Sequence, residues 1–201
     1  MGYLKSGLFS MVVYMILFGI IYAVIRFLFL KKTKVTVNWL KEVTVGFFAV
    51  YTIGFMAQAI LPSLHVYVNG TTSQLEIAFT SRSSLSKINV IPFRTMIQYI
   101  FLENTNVDDW SLVGFQNIIS SIGLMIPLGI LIPMLHTSLK PLRRTLIFGM
   151  GISLFVELMQ IVVGRSFDID DIILNGVGLL IGWFLFSQVI LRIRQRNGVI
   201  S

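Results

Sequence analysis

The chain has 201 residues, of which 55% are hydrophobic and 12% charged, with a mean hydropathy of +0.83 and a formal net charge of +7. A soluble domain of this size carries about twice that charged fraction, so an ordinary soluble globule is excluded. With no cysteine, disulfides, thiolate nucleophiles and Cys-based metal sites are excluded as well. The surplus of Lys and Arg is what the cytoplasmic loops of a membrane protein collect, so nucleic acid is not the expected partner.

Apolar runs long enough to cross a bilayer, which takes about 20 residues, fall at 8–30, 43–61, 112–135, 142–163 and 171–191. The expected fold class is all-α: a polytopic membrane helical bundle of one domain over 1–201, with five spans. The first run is too long for a signal peptide, is not followed by a small-residue cleavage site, and ends in Lys31, Lys32 and Lys34. It reads as a retained anchor, with Arg26 snorkelling toward those lysines. Basic residues in 31–42, in 136–144 and in the tail (Arg192, Arg194, Arg196) lie on one side of a five-span arrangement. That side is therefore cytoplasmic, and the N-terminus lies outside.

The outer segment 62–111 is too long for a plain connector. HVYVNGTTSQLEIAF predicts two short strands around Asn69-Gly70. NVIPFRTMIQYIFLEN predicts a helix with Pro92 at its first position, read as lying on or dipping into the outer leaflet, with an ordinary amphipathic helix packed on the bundle as the plainer alternative. Phe93, Met96, Ile97, Ile100 and Phe101 share one face, and Arg94, Gln98 and Asn104 lie off it. His65 and His136 read as solvent-facing loop residues, and the nine methionines as apolar packing.

The polar residues of the last three spans follow helical periods. Gly149, Ser153, Glu157, Gln160 and Gly164 form one stripe; Asp171, Asn175, Gly178 and Gly182 a second; Gly114, Asn117 and Ser121 a third. Small residues on such stripes let backbones approach, so these faces are expected to pack together. Counting rise per residue, Asn117 and Glu157 lie about 9 Å inside the outer ends of their spans, and Asn175 about 7 Å. Arg165, Asp168 and Asp171 sit just above, which implies a polar cavity open to the outside. Plainer roles stand beside this one. Asp170 is placed to N-cap span five, with Asp171 suiting the helix dipole. Asn117 and Asn175 can bond between helices. A carboxylate at the depth of Glu157 needs a partner, a proton or water, and Arg165 is a structural partner for it.

Three blocks carry a resemblance. They are NVIPFRT at 89–95, NIISSIGLMIPLGILIP at 117–133, and SLFVELMQ at 153–160 followed by GRSFDIDDIILNGVG at 164–178. On them the chain resembles the VanZ-like family over residues 85–185. Gly176 stands where that family is expected to carry a small hydroxylated residue. The resemblance implies a bacterial membrane protein, sometimes linked to teicoplanin and other glycopeptide resistance, and does not bring a settled reaction. It implies a polar set of Asn89, Arg94, Asn117, Glu157, Gln160, Arg165, Asp168, Asp171 and Asn175.

No phosphate loop, HExxH or Ser-His-Asp pattern is present. The guanidinium of Arg94 or Arg165 suits phosphate or carboxylate. The leading expectation is an outward-facing pocket that binds an anionic envelope lipid or lipid-linked cell-wall precursor. The alternative is a metal-dependent membrane enzyme acting on a phosphorylated headgroup, in which Glu157, Asp168 and Asp171 hold a divalent cation. A proton-coupled transporter using Glu157 and a scaffold role are further classes. Five spans without a visible repeat argue against the transporter.

Overall fold

All five apolar runs form helices, and each has the length and composition to cross a bilayer: Leu8–Thr33, Trp39–Ile60, Gly114–Leu135, Leu142–Val162 and Ile169–Ile190. The computed structural model describes residues 2–33, 38–61, 63–68, 75–80, 88–101 and 110–196. These comprise helices α1 (Gly2–Thr33), α2 (Trp39–Ile60), α3 (Arg94–Phe101), α4 (Trp110–Leu135), α5 (Leu142–Val162) and α6 (Ile169–Arg196), and strands β1 (Ser63–Val68) and β2 (Leu75–Thr80). The expected helical membrane architecture is therefore observed. Two compact units are distinguished, Met1–Lys87 with Leu158–Ser166, and Ile88–Glu157 with Phe167–Ser201.

In the first unit α1 and α2 form an antiparallel hairpin. Gly54 permits its closest approach, since a Cβ there would lie 2.2 Å from Met15 Cγ. Asn38 starts α2 by accepting the Lys41 N–H at 3.2 Å, with Glu42 in the first turn. The hairpin brings Glu42 beside Arg26. The guanidinium donates from Nε to Oε2 at 2.7 Å, forms a second bond from Nη2 to Oε1, and lies 5.2 Å from the Phe29 ring centroid. Arg26 thus pairs within the hairpin rather than snorkelling to the lysines, because a carboxylate lies within its reach. β1 and β2 pair antiparallel with Ser63 opposite Thr80 and Val68 opposite Leu75. The hairpin is observed, and His65 falls in β1 rather than in a loop. Asn69, Gly70, Lys34 and Asn104 lie outside the described residues.

Helix α5 closes with a Schellman arrangement that belongs to this unit. Gly164 adopts φ +77°, its N–H donates to Ile161 O at 3.1 Å, and the Arg165 N–H donates to Gln160 O at 2.8 Å. Gly164 therefore ends the polar stripe of the fourth span instead of extending it. The last carbonyls of a helix lack intrahelical donors. The Arg165 guanidinium meets one of them by donating to Ala59 O at the end of α2, where the helix dipole also favours a cation.

In the second unit α4 and α6 run parallel. Gly178 and Gly182 let α6 lie against α4: an added Cβ would come 2.2 Å from Ile122 O and 2.2 Å from Ile126 O, respectively. Gly129 reciprocates, with Leu179 O at 2.5 Å from its virtual Cβ. α5 runs antiparallel to α6, with Gly149 against Leu179 and Ser153 against Asn175. Met125, Leu128, Ile132 and Leu179 are fully buried at the centre. The small residues act as the sequence implied, by admitting backbone contact where apolar lipid offers no hydrophobic drive to association. At the opposite end of α6 from its acidic first turn, its basic tail begins with Arg192, about 35 Å away along the axis. His136 is exposed in the connection to α5 and accepts the Ser138 N–H.

Candidate functional site

The beginning of α6 gathers polar side chains from several segments of the second unit. Two sequence-distant segments meet there as a short parallel bridge: the Asn89 N–H donates to Phe167 O at 2.8 Å, and the Ile169 N–H donates to Asn89 O at 3.0 Å. The side chains reinforce it. Asn89 Nδ2 donates to Asp168 Oδ1 and to Thr95 Oγ1, both at 2.9 Å, and Thr95 Oγ1 donates to Asp168 Oδ2 at 2.5 Å. Asp168 Oδ1 also accepts the Asp170 N–H at 2.9 Å, which is an N-cap bond. The N-cap of α6 is thus Asp168, not Asp170, because the helix starts at Ile169, two residues before the expected span.

Asp170 is 1% exposed and serves another helix. Its Oδ1 accepts the Phe93 N–H at 2.5 Å, and its Oδ2 accepts the N–H groups of Thr95 at 2.7 Å and Met96 at 3.2 Å. These are donors that the first turn of α3 leaves without intrahelical partners. The cap holds Phe93 at φ +66°, the only non-glycine residue with positive φ among the described residues. Such a conformation costs about 1–3 kcal/mol. It also moves the start of the helix to Arg94, so Pro92 lies in the preceding turn rather than at the first helical position.

α3 is turned opposite to an ordinary packed amphipathic helix. Thr95, Met96, Gln98 and Tyr99 are half-buried, and Phe93, Ile97, Ile100 and Phe101 are exposed. Gly114 of α4 receives α3, where an added Cβ would lie 2.6 Å from Tyr99 Cβ and 2.9 Å from Tyr99 O. The Tyr99 hydroxyl is hydrogen-bonded to Asn117, and burial pushes the phenol up from its usual range, with the Asp171 and Asp168 charges acting in the same direction. Ser121 Oγ donates to Asp171 Oδ1 at 3.3 Å.

The residues singled out in the sequence therefore divide. Asp168, Asp171, Asn117 and Arg94 lie at the α3–α4–α6 end of the second unit, although Asn117 is exposed and bonds to Tyr99. Glu157 is 2% exposed, and its Oε2 accepts the Asp168 N–H at 3.2 Å. Asn175 is 6% exposed and donates from Nδ2 to Ser153 Oγ at 2.8 Å. Gln160 and Arg165 belong to the first unit. Arg94 is exposed, and among the described residues no acceptor or carboxylate engages its guanidinium. Among those residues, no group of three His, Cys, Asp or Glu is arranged to hold a metal ion. Several carboxylate oxygens that the metal reading relied on are already directed at donors. Thr95, Tyr99 and the capping of α3 by Asp170 were missed in the sequence, whereas Ser121 was placed on the polar stripe of the third span. The available signal was Thr95 six residues after Asn89 in a block with little helical propensity at its start.

Residues 48–192 match the family model described as VanZ/LLP1. No curated protein and no solved structure matches the chain. All three sequence blocks, NVIPFRT included, fall inside the matched region, and the structure joins the first block to the third through the Asn89–Asp168 bridge. This helical, membrane-spanning chain belongs to the VanZ/LLP1 family.

Proposed function

We propose that this VanZ/LLP1 membrane protein resides in the cytoplasmic membrane of a bacterium, with its N-terminus outside and its C-terminus in the cytoplasm. There it binds an anionic envelope lipid or lipid-linked precursor at the end where α6 begins, and so modifies the presentation of glycopeptide targets such as that of teicoplanin. The observation that carries this reading is Arg94. Its guanidinium is exposed and unengaged among the described residues, on a helix whose neighbouring side chains are exposed and apolar. A planar fork in such surroundings matches a phosphate or carboxylate through two parallel bonds. Asn117 and Asp171 supply polar groups nearby in the same unit, and Glu157 and Asn175 hold the adjoining helices and loop. Gln160 and Arg165 belong to the first unit, where the Arg165 guanidinium is bonded to the end of α2.

The test uses the parent, Arg94→Ala and Arg94→Lys in nanodiscs of mixed phosphatidylglycerol and phosphatidylcholine, with retained lipid quantified after repurification. The parent enriches the anionic lipid, Arg94→Ala loses that enrichment, and Arg94→Lys keeps part of it. A parent without enrichment, or an Arg94→Ala protein that retains it in full, overturns the reading. Orientation is tested separately. A cysteine at Ser166 reacts with an impermeant thiol reagent in intact cells and one at Ser138 does not; the reverse pattern overturns the outward-facing site.

A further inference from the structure

We propose that Ile91–Phe101 is a membrane-interface wedge: Phe93, Ile97, Ile100 and Phe101 insert into one phospholipid leaflet beside Arg94, and Asp170 is the positioning residue that holds the wedge in its inserted geometry. The proposal needs a bilayer and nothing else, and stands apart from the anionic ligand.

Three observations converge on it. The first is the direction of the helix. The four apolar side chains are 54%, 51%, 60% and 75% exposed, while Thr95, Gln98 and Tyr99 on the other face are half-buried. In water that arrangement is inverted. Against acyl chains and headgroups it is the expected one, because an interfacial helix places its apolar face toward lipid.

The second is depth. Asp170 is the second residue of α6, and the apolar part of that helix, Ile169–Ile190, spans about 33 Å against about 30 Å of hydrocarbon. Its first turn therefore lies at the boundary between hydrocarbon and headgroups. Three hydrogen bonds to the Asp170 carboxylate, from Thr95 and Met96 of α3 and from Phe93 just before it, keep α3 at the same level. α4 exposes Leu112, Phe115 and Ile119 along its first turns. The lipid-facing surface of a span and the exposed face of α3 thus occur at one end of one unit, which selects a lipid leaflet as the occupant.

The third is Phe93. It combines a left-handed backbone with an exposed aromatic ring, two features that are each unfavourable in water. Asp170 accepts its N–H and those of Thr95 and Met96, and so maintains the conformation against its strain. A backbone held off its preferred conformation at a single exposed aromatic points to a use for the ring, and insertion between lipids is the use this position offers.

The chain has no cysteine, so a single cysteine at Ile97 or Ile100 carries an environment-sensitive fluorophore at one defined place. The protein is reconstituted in vesicles of phosphatidylcholine alone, with nitroxide quenchers at shallow or deep acyl positions. Both sites show blue-shifted emission and lose about half of their intensity to the shallow quencher, with less lost to the deep one, as for a helix buried just below the headgroups. A probe at Ser138 is not quenched. In Asp170→Asn, shallow quenching at residue 97 falls. Phe93→Gly, which accepts a positive φ and removes only the ring, gives the same fall even if Asp170→Asn does not fold. Unquenched probes at 97 and 100 in the parent overturn the wedge. Quenching unchanged in both variants overturns the roles of Asp170 and Phe93. Because these vesicles hold no anionic lipid, failure of the anionic-ligand reading leaves this result unaffected, and the reverse also holds.

Discussion

Arg26 and Glu42 in the first unit meet charge to charge, whereas Asp168 and Asp170 in the second meet no cation among the described residues and are held by backbone N–H groups, an amide and a hydroxyl. The ion pair joins neighbouring helices of one hairpin and is partly exposed, with side-chain exposures of 35% and 21%. It sets a register that helix packing already favours. The two aspartates join segments more than 70 residues apart in sequence, and Asp170 is buried while doing so. A charge-assisted bond to a backbone donor is about twice as strong as a neutral one. Unlike a long ion pair, it fixes the path of the backbone itself. The comparison shows why the polar end of α6 can define a geometry for α3, while Arg26 and Glu42 tie together two helices that already lie side by side.

Breaking the buried side of this comparison carries the largest expected effect. Asp170→Ala leaves three N–H groups of the α3 start without their acceptor and lowers stability by about 3 kcal/mol, read as reduced resistance to unfolding in mixed micelles. A loss below that of a typical surface substitution would mean that water replaces the carboxylate without penalty. Gly178→Ala comes next. Its Cβ would meet Ile122 O at 2.2 Å, so α4 and α6 must separate, at about 2 kcal/mol. An unchanged unfolding midpoint would show that this helix pair yields easily.

Tyr99 gives the second unit a pH dependence. Its folded pKa is raised, first by burial and then by the Asp171 charge, so the folded state keeps the proton where the unfolded chain has lost it. The contribution is complete below the ordinary tyrosine value of about 10 and is lost as pH rises through the folded value. The parent is expected to lose stability more steeply than Tyr99→Phe in that alkaline range. Parallel pH curves for the two proteins would contradict the burial of the hydroxyl. The smallest effect is expected from a double-mutant cycle on Arg26→Ala and Glu42→Ala, whose coupling should fall below the Gly178→Ala loss and weaken with salt, as partly exposed pairs do. A coupling as large as the Asp170→Ala effect would erase the contrast between the two units.

Much of the fold was legible because membrane solvation acts on composition. The five spans follow from apolar length alone, and their observed limits differ from the expected ones by a few residues, with the spans in α2 and α6 starting earlier. The glycine stripes were legible for the same reason: Gly178 and Gly182 repeat at helical spacing, and a stripe without side chains has only close approach to offer. The orientation of α3 was not legible. Its periodicity identified the helix and its apolar face, but which way that face turns depends on Asp170, 75 residues away from Thr95. Asn117 illustrates the same limit. Its depth agreed with that of Asn175, yet the Tyr99 hydroxyl draws it into the α3 contact.

The helical membrane architecture, the VanZ-like character and the residue types gathered near the beginning of α6 could be read from the amino acids without coordinates. These depend on local quantities: apolar length, helical period and motif spacing. The assignment of partners came from the packing of distant segments. Asp168 caps α6, Asp170 caps α3, Asn89 bridges to Asp168, and Arg165 closes the end of α2. A carboxylate or guanidinium can satisfy many donors or acceptors at equal local merit. The choice among them falls to whichever backbone ends the packing of glycine-lined helices brings within about 3 Å.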